Sequence, residues 1–163
     1  MSSFNRRTVL GLLAAPLVAC TFTPAYGPGG PAAGLQGTIR IADPSDKNGF
    51  DLVGRLEDRL GRPQAPRFQL GYTITTTAVG VGITPQNAIT RYHLTGAVDW
   101  VLSDNAGTHV TTGRVESFTA YSATGSTVAG LAAEEDAALR LMRILADQIV
   151  TRLLATAGQW AAA

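Results

Sequence analysis

The sequence predicts an α+β fold: a four-stranded mixed or antiparallel sheet with two helices packed on one face, in the order β-α-β-β-β-α. Three observations carry this. Residues 92–102 alternate, with Tyr92, Leu94, Gly96, Val98, Trp100 and Leu102 on one side and His93, Thr95, Ala97 and Asp99 on the other, as in a strand with one buried face. Ala138, Met142, Leu145, Ile149 and Leu153 recur at helical spacing, in a stripe widened by Leu141 and Val150. A shorter helical stripe, Phe50, Val53, Leu56 and Leu60, stands between a first strand pattern and the remaining three.

The first strand is expected over Leu35–Ile41, where Leu35, Gly37, Ile39 and Ile41 share a face and Asp43-Pro44 ends the run. The short helix follows over about residues 49–61, with Asn48 as its cap and Asp51 at its third position. Asp51–Arg55 and Asp58–Arg62 are spaced as ion pairs on its outer face. Gly61 can close it and Pro63 prevents its continuation. Phe68, Leu70, Tyr72 and Ile74 then alternate in a strand that runs through a threonine-rich stretch to Val79. Gly80-Val81-Gly82 and Pro85-Gln86-Asn87 mark the turn. The strand at 92–102 leads through Ser103-Asp104-Asn105-Ala106-Gly107, a hairpin connection, into a returning strand from about Thr108 to Tyr121. Gly113 within it signals a bulge or a close backbone approach. The second helix is expected over about 127–156, ending at Gly158, with Glu134-Glu135-Asp136 near its start as partners of the helix dipole.

Composition excludes several function classes. The 163 residues carry 13 basic and 12 acidic side chains, too even a balance for the phosphate contacts that drive non-specific nucleic-acid binding. Lys47 is the one lysine, and Cys20 the one cysteine, so no internal disulfide is possible. His93 and His109 fall on neighbouring strands, where they could approach across the hairpin, but no HExxH helix or cysteine accompanies them. Gly80-Val81-Gly82 lacks the lysine and remaining glycines of a phosphate loop, and no Gly-x-Ser-x-Gly elbow is present. No catalytic residue and no metal site is assigned. The second face of the sheet, rich in Thr with Ala, His and Asp, is the more suggestive surface; it is either solvated or set against another protein.

The N-terminal segment has an export anatomy. Arg6-Arg7 gives a basic start, and Val9–Ala19 is an apolar run of signal-core length, too short to span a bilayer. Leu17-Val18-Ala19-Cys20 resembles a lipobox, which implies that Cys20 becomes the lipidated first residue of the mature chain, carrying S-diacylglycerol and an N-acyl group. Asn5-Arg6-Arg7-Thr8-Val9-Leu10 also resembles a twin-arginine signal; arginine pairs occur in ordinary signals too, and both export routes stay open. Thr21 rather than Asp follows Cys20, so no inner-membrane retention signal is read. The organisation expected is a signal peptide at 1–19, a lipidated Pro/Gly tether at 20–34, and one domain over 35–163. Cleavage removes Arg6 and Arg7 and shifts the formal charge from +1 to −1.

Read together, these features resemble the LptE family of lipopolysaccharide-assembly lipoproteins. The resemblance rests on the lipobox cysteine followed by Thr21-Phe22-Thr23-Pro24-Ala25-Tyr26, the Phe50–Leu60 helix, and the Ala88-Ile89-Thr90-Arg91-Tyr92-His93-Leu94 strand entry. The 102–107 hairpin, Ser117-Phe118-Thr119-Ala120-Tyr121-Ser122 and the helix from Glu135 to Leu153 complete it. It implies a non-enzymatic outer-membrane lipoprotein, anchored in the inner leaflet and needing no cofactor beyond its covalent lipid. The implied partners are an LptD-type β-barrel, which it enters as a plug and helps to assemble, and lipopolysaccharide. Family members are thought to contact lipopolysaccharide through basic residues; here no basic motif aligns, and Arg91 and Arg114 are named as candidates, with a structural ion pair as the alternative role of each. The competing reading is a periplasm-facing lipoprotein adaptor or binding module of another envelope complex.

Overall fold

The computed structural model of the chain describes residues 24, 26–30, 32–123 and 126–161; the signal segment, Cys20 and Phe22 lie outside them. Strands β1 (Ile39–Ile41), β2 (Phe68–Ile83), β3 (Ile89–Asp104) and β4 (His109–Ser122) form one sheet in sequence order, with helices α1 (Lys47–Leu60) after β1 and α2 (Thr127–Trp160) after β4. The order is the expected β-α-β-β-β-α. β1 runs parallel to β2, a pairing that requires the α1 crossover, and the other pairings are antiparallel.

The core lies between the sheet and the helices. Ile39, Ile41, Phe68, Leu70, Leu94, Val98, Trp100, Leu102 and Val115 meet Leu52, Leu56 and Leu60 of α1 and Leu141, Met142, Leu145, Ile149, Val150 and Leu153 of α2. Two glycines set the spacing. A Cβ at Gly96 would come within 2.9 Å of Leu141 Cδ2, so α2 rests directly on β3. A Cβ at Gly113 would come within 2.6 Å of Trp100 Cζ2; the close approach is real, and the ladder passes Gly113 without a bulge.

Several expectations are corrected. β1 begins at Ile39: Leu35 and Gly37 sit in turns, with Thr38 N donating to Leu35 O and Gly37 at φ 70°. Helix α1 starts at Lys47, and its cap is Asp46, whose Oδ1 accepts from Gly49 N at 2.7 Å; Asn48 lies within the helix. That start accompanies a core face of Gly49, Leu52, Leu56 and Leu60, with Val53 half-buried and Phe50 68% exposed. The expected ion pairs also change: Asp51 meets Lys47 at 3.0 Å, Arg62 meets Glu57 at 3.7 Å, and Arg55 crosses to α2. Gly61 closes the helix at φ 80°, donating to Glu57 O. Replacing Asp46 with alanine should lower unfolding stability by about 1 kcal/mol, the usual worth of a carboxylate cap. Chemical denaturation checks this, and an unchanged midpoint would remove Asp46 from that role.

β2 continues to Ile83, beyond the expected Val79. Gly80-Val81-Gly82 is strand, not turn: Gly80 pairs with Tyr92, Gly82 with Arg91 and Ile83 with Ile89, while the register skips Val81 on one strand and Thr90 on the other, a local irregularity. The turn is Thr84–Ala88, closed by Thr84 N to Ala88 O at 2.9 Å, with Asn87 at φ 60°. The β3–β4 hairpin is held by Asp104 Oδ1, which accepts from Ala106 N and Thr108 N, each at 2.8 Å. α2 runs through Gly158 to Trp160, because the Trp160 ring packs edge-on against Phe68 at 5.3 Å and this burial outweighs the glycine. The helix therefore places Glu134, Glu135 and Asp136 beyond its first turn, where the dipole has little effect; Asp136 instead pairs with Arg140 at 3.1 Å.

Candidate functional site

Both helices cover one face of the sheet, and the other face is open. Its rows follow from the strand register. Moving from the β3–β4 hairpin toward the β2–β3 turn, they read Thr73–Asp99–Arg114, Thr75–Ala97–Glu116, Thr77–Thr95–Phe118, Val79–His93–Ala120 and Gly82–Arg91–Ser122. Across these rows the face grades from charged, through threonine, to a mixed end where Val79, His93 and Phe118 lie near Arg91.

The charged rows are joined by ion pairs, one guanidinium between two carboxylates. Arg114 donates through Nη1 to Asp99 Oδ2 and through Nε to Glu116 Oε1, both at 2.7 Å. The hydrogen bond to Glu116, with the charge of Asp99, raises the affinity of the guanidinium for its proton. Arg91 differs: it is exposed in the last row and has no ion pair or side-chain hydrogen bond among the described residues. Close by, the His93 ring lies 5.6 Å from that of Phe118, which is 63% exposed. On the covered face at the same end, Tyr92 and Tyr121 stack at 5.2 Å, and desolvation raises the Tyr121 phenol above its ordinary pKa.

This end of the molecule is conspicuously apolar. Val79, Val81, Ile83 and Ile89 are exposed around the β2–β3 turn, as are Val128 and Leu131 on the first turns of α2. α2 overhangs here: none of residues 127–136 is buried. A groove of about 770 Å³ runs between the β4 edge and α2, lined by Arg114, Glu116, Ile144, Asp147, Gln148, Thr151 and Arg152. Asp147 is committed to the neighbouring helix, accepting from Arg55 at 2.9 and 3.1 Å, with Arg59 at 3.6 Å.

Catalytic groups are not brought together. His93 stands opposite Ala120 and His109 opposite Ser103, so the two histidines lie at opposite ends of the sheet, about 30 Å apart along the strands, and do not approach. Among the described residues no three His, Cys, Asp or Glu side chains could hold a metal ion. No described helix is long and apolar enough to cross a membrane. Arg91 and Arg114 share the open face but not one site, since three rows separate them. Sequence reasoning missed the Arg55–Asp147 bridge and the exposed Phe50 and Phe118. The bridge joins residues 92 apart, which no local spacing reveals. Phe118 was detectable, since its parity with Arg114 and Glu116 places it on their face.

The profile of the LptE family, described as lipopolysaccharide-assembly, matches residues 36–153. The chain is 24% identical to a protein from Caulobacter crescentus CB15 assigned as a lipoprotein, with a TM-score of 0.68 over 82% of this chain and 99% of that one. Rare lipoprotein B from Shewanella oneidensis is similar at 14% identity and a TM-score of 0.57, covering 73% of this chain and 93% of the other. A minor lipoprotein from Acinetobacter baumannii gives 15% identity and a TM-score of 0.55, over 73% and 90%. No functionally curated protein matches significantly. The order of elements, the mixed sheet with both helices on one face, and a profile match across most of the domain agree: the chain belongs to the LptE family of outer-membrane lipopolysaccharide-assembly lipoproteins.

Proposed function

We propose that the protein is the lipid-anchored partner of an LptD-type β-barrel, entering the barrel as a plug, supporting its assembly, and so helping to place lipopolysaccharide in the outer leaflet. The observation that carries this reading, beside family membership, is the open sheet face. Its central charges, Asp99, Arg114 and Glu116, are joined by ion pairs, so a polar barrel wall can enclose the middle of the face without burying a charge that lacks a partner, and Arg91 at the end of the face is left to meet an anion. We assign no chemical step to the chain and place a covalent lipid on Cys20.

Arg91 is the residue proposed to meet lipopolysaccharide phosphate. It is exposed, unpaired among the described residues, and close to apolar surface suited to the acyl part of an amphiphilic anion. Arg114 is held between two carboxylates, whose negative charge disfavours a phosphate beside it. A charge-assisted hydrogen bond contributes about 1.5–3 kcal/mol. Arg91→Glu should therefore weaken lipopolysaccharide capture about tenfold or more while barrel recovery stays unchanged. Equal capture by variant and wild type removes Arg91 from the site. The partner itself is tested by crosslinking and affinity recovery from outer membranes: a large β-barrel is expected, and its absence sinks the reading.

A further inference from the structure

The free edge of β2 is a second surface with a definite chemistry. β1 pairs only with Phe68–Leu70, and the last bond of that ladder runs from Ala42 N to Leu70 O at 2.9 Å. Asp43-Pro44 then carries the chain toward α1. Alternate residues of a strand turn their N–H and C=O groups to the same side. Because Leu70 faces β1, Tyr72, Ile74, Thr76 and Ala78 face that same side, where no described strand lies. Their neighbours Thr73, Thr75 and Thr77 direct their main-chain groups to β3.

The two outer edges of the sheet are not alike. β4 carries exposed Arg114 and Glu116 and is flanked by α2, with Thr119 Oγ1 donating to Ala137 O at 3.0 Å. Among the described residues, β2 beyond Tyr72 shows neither protection on its outer edge. From Tyr72 to Ile83 it contains no charged residue and no proline, and nine of the twelve residues are β-branched or aromatic. A bare edge of that composition invites strand pairing and aggregation, so it calls for a partner. The flanking surface agrees. Gly49 of α1 lies beside Tyr72, whose Oη would be 3.1 Å from a Cβ there. Arg55 and Arg59 turn toward α2 through Asp147, which places the exposed Phe50 on the opposite flank of α1, away from α2.

We infer that the β2 edge, Tyr72 to Gly80, takes an uncharged, extended segment of the barrel partner as a fifth strand, continuing the place that β1 vacates, with Phe50, Tyr72 and Ile74 flanking its side chains. The identity of the donor rests on the functional reading above. Alternating free donors and acceptors select a peptide backbone rather than a lipid or a sugar. A second copy is a poor occupant: edge-to-edge pairing engages nine residues a side. Specific interfaces take roughly 20–30 residues a side. A barrel that surrounds the domain supplies the remaining contact.

Proline distinguishes the two sides of this strand. Thr76→Pro deletes one outward N–H and leaves every bond to β3 in place, whereas Thr77→Pro deletes a bond to Thr95 and serves as the unfolding control. In the full-length lipidated protein, Thr76→Pro should melt close to wild type yet recover the barrel at least tenfold less well. A photocrosslinking side chain at Thr75 should give an adduct with the mass of the protein plus the barrel. If Thr76→Pro does not fold, Ala78→Lys, which keeps every N–H and places a charge on the edge, takes its place with the same expected loss. Full barrel recovery by a folded variant, or an adduct of twice the protein's own mass, overturns the edge assignment alone. Failure of the wild type to recover any barrel overturns the functional reading and, with it, the donor.

Discussion

Leu145→Ala lowers the free energy of unfolding by about 3 kcal/mol, in the middle of the range for a fully buried leucine. Leu145 has no exposed surface, and its Cδ1 would lie 3.1 Å from a Cβ built on Gly96. The truncation therefore opens a void where α2 rests on the centre of β3, between rigid neighbours that cannot collapse into it. With a single cysteine, no internal disulfide offsets the loss. For a domain of this size the melting temperature should fall by roughly 10 °C. The reciprocal change, Gly96→Val, should destabilise by about 1–3 kcal/mol through overpacking against Leu141 and Leu145. Thermal and denaturant unfolding of the purified protein measure both. A loss below about 1 kcal/mol for Leu145→Ala would contradict the close seating of α2 on Gly96.

Cys20→Ala should have the largest effect in the cell: the protein is released from the membrane fraction or accumulates as an unprocessed precursor. The proposed lipid on Cys20 carries several acyl chains. One chain binds a bilayer only marginally, while two or more hold it firmly. Pro24 is four residue steps from Cys20, a reach of at most about 14 Å, so a lipid on Cys20 would keep the domain close to the membrane surface. Fractionation and gel mobility report the result. Unchanged membrane association together with unchanged mobility would count against lipidation.

Much of the fold was legible because its signals are periodic. The alternation at 92–102 and the stripe from Met142 to Leu153 each recur often enough to survive local noise, and both are core. Errors gathered where two local signals competed. Asn48 and Asp46 are both cap residues, and an Asn48 cap suited a stripe containing Phe50; the structure uses Asp46 and buries Leu52 instead. Gly158 reads as a helix stop until Trp160 finds Phe68, a contact across 92 positions. The open face was visible as a threonine-rich alternation. The ion-paired Asp99–Arg114–Glu116 cluster and the bare β2 edge were not, because both depend on which strands lie next to one another and where β1 stops. The family was legible from the order and spacing of these elements, while lipidation at Cys20 lies outside the described residues.

The most direct measurement is depletion of the protein in its own cells, followed by assay of mature outer-membrane barrel and of lipopolysaccharide at the cell surface. Both should fall together, and both should return when the wild-type chain is restored. Normal barrel maturation with normal surface lipopolysaccharide in depleted cells would contradict the proposed role.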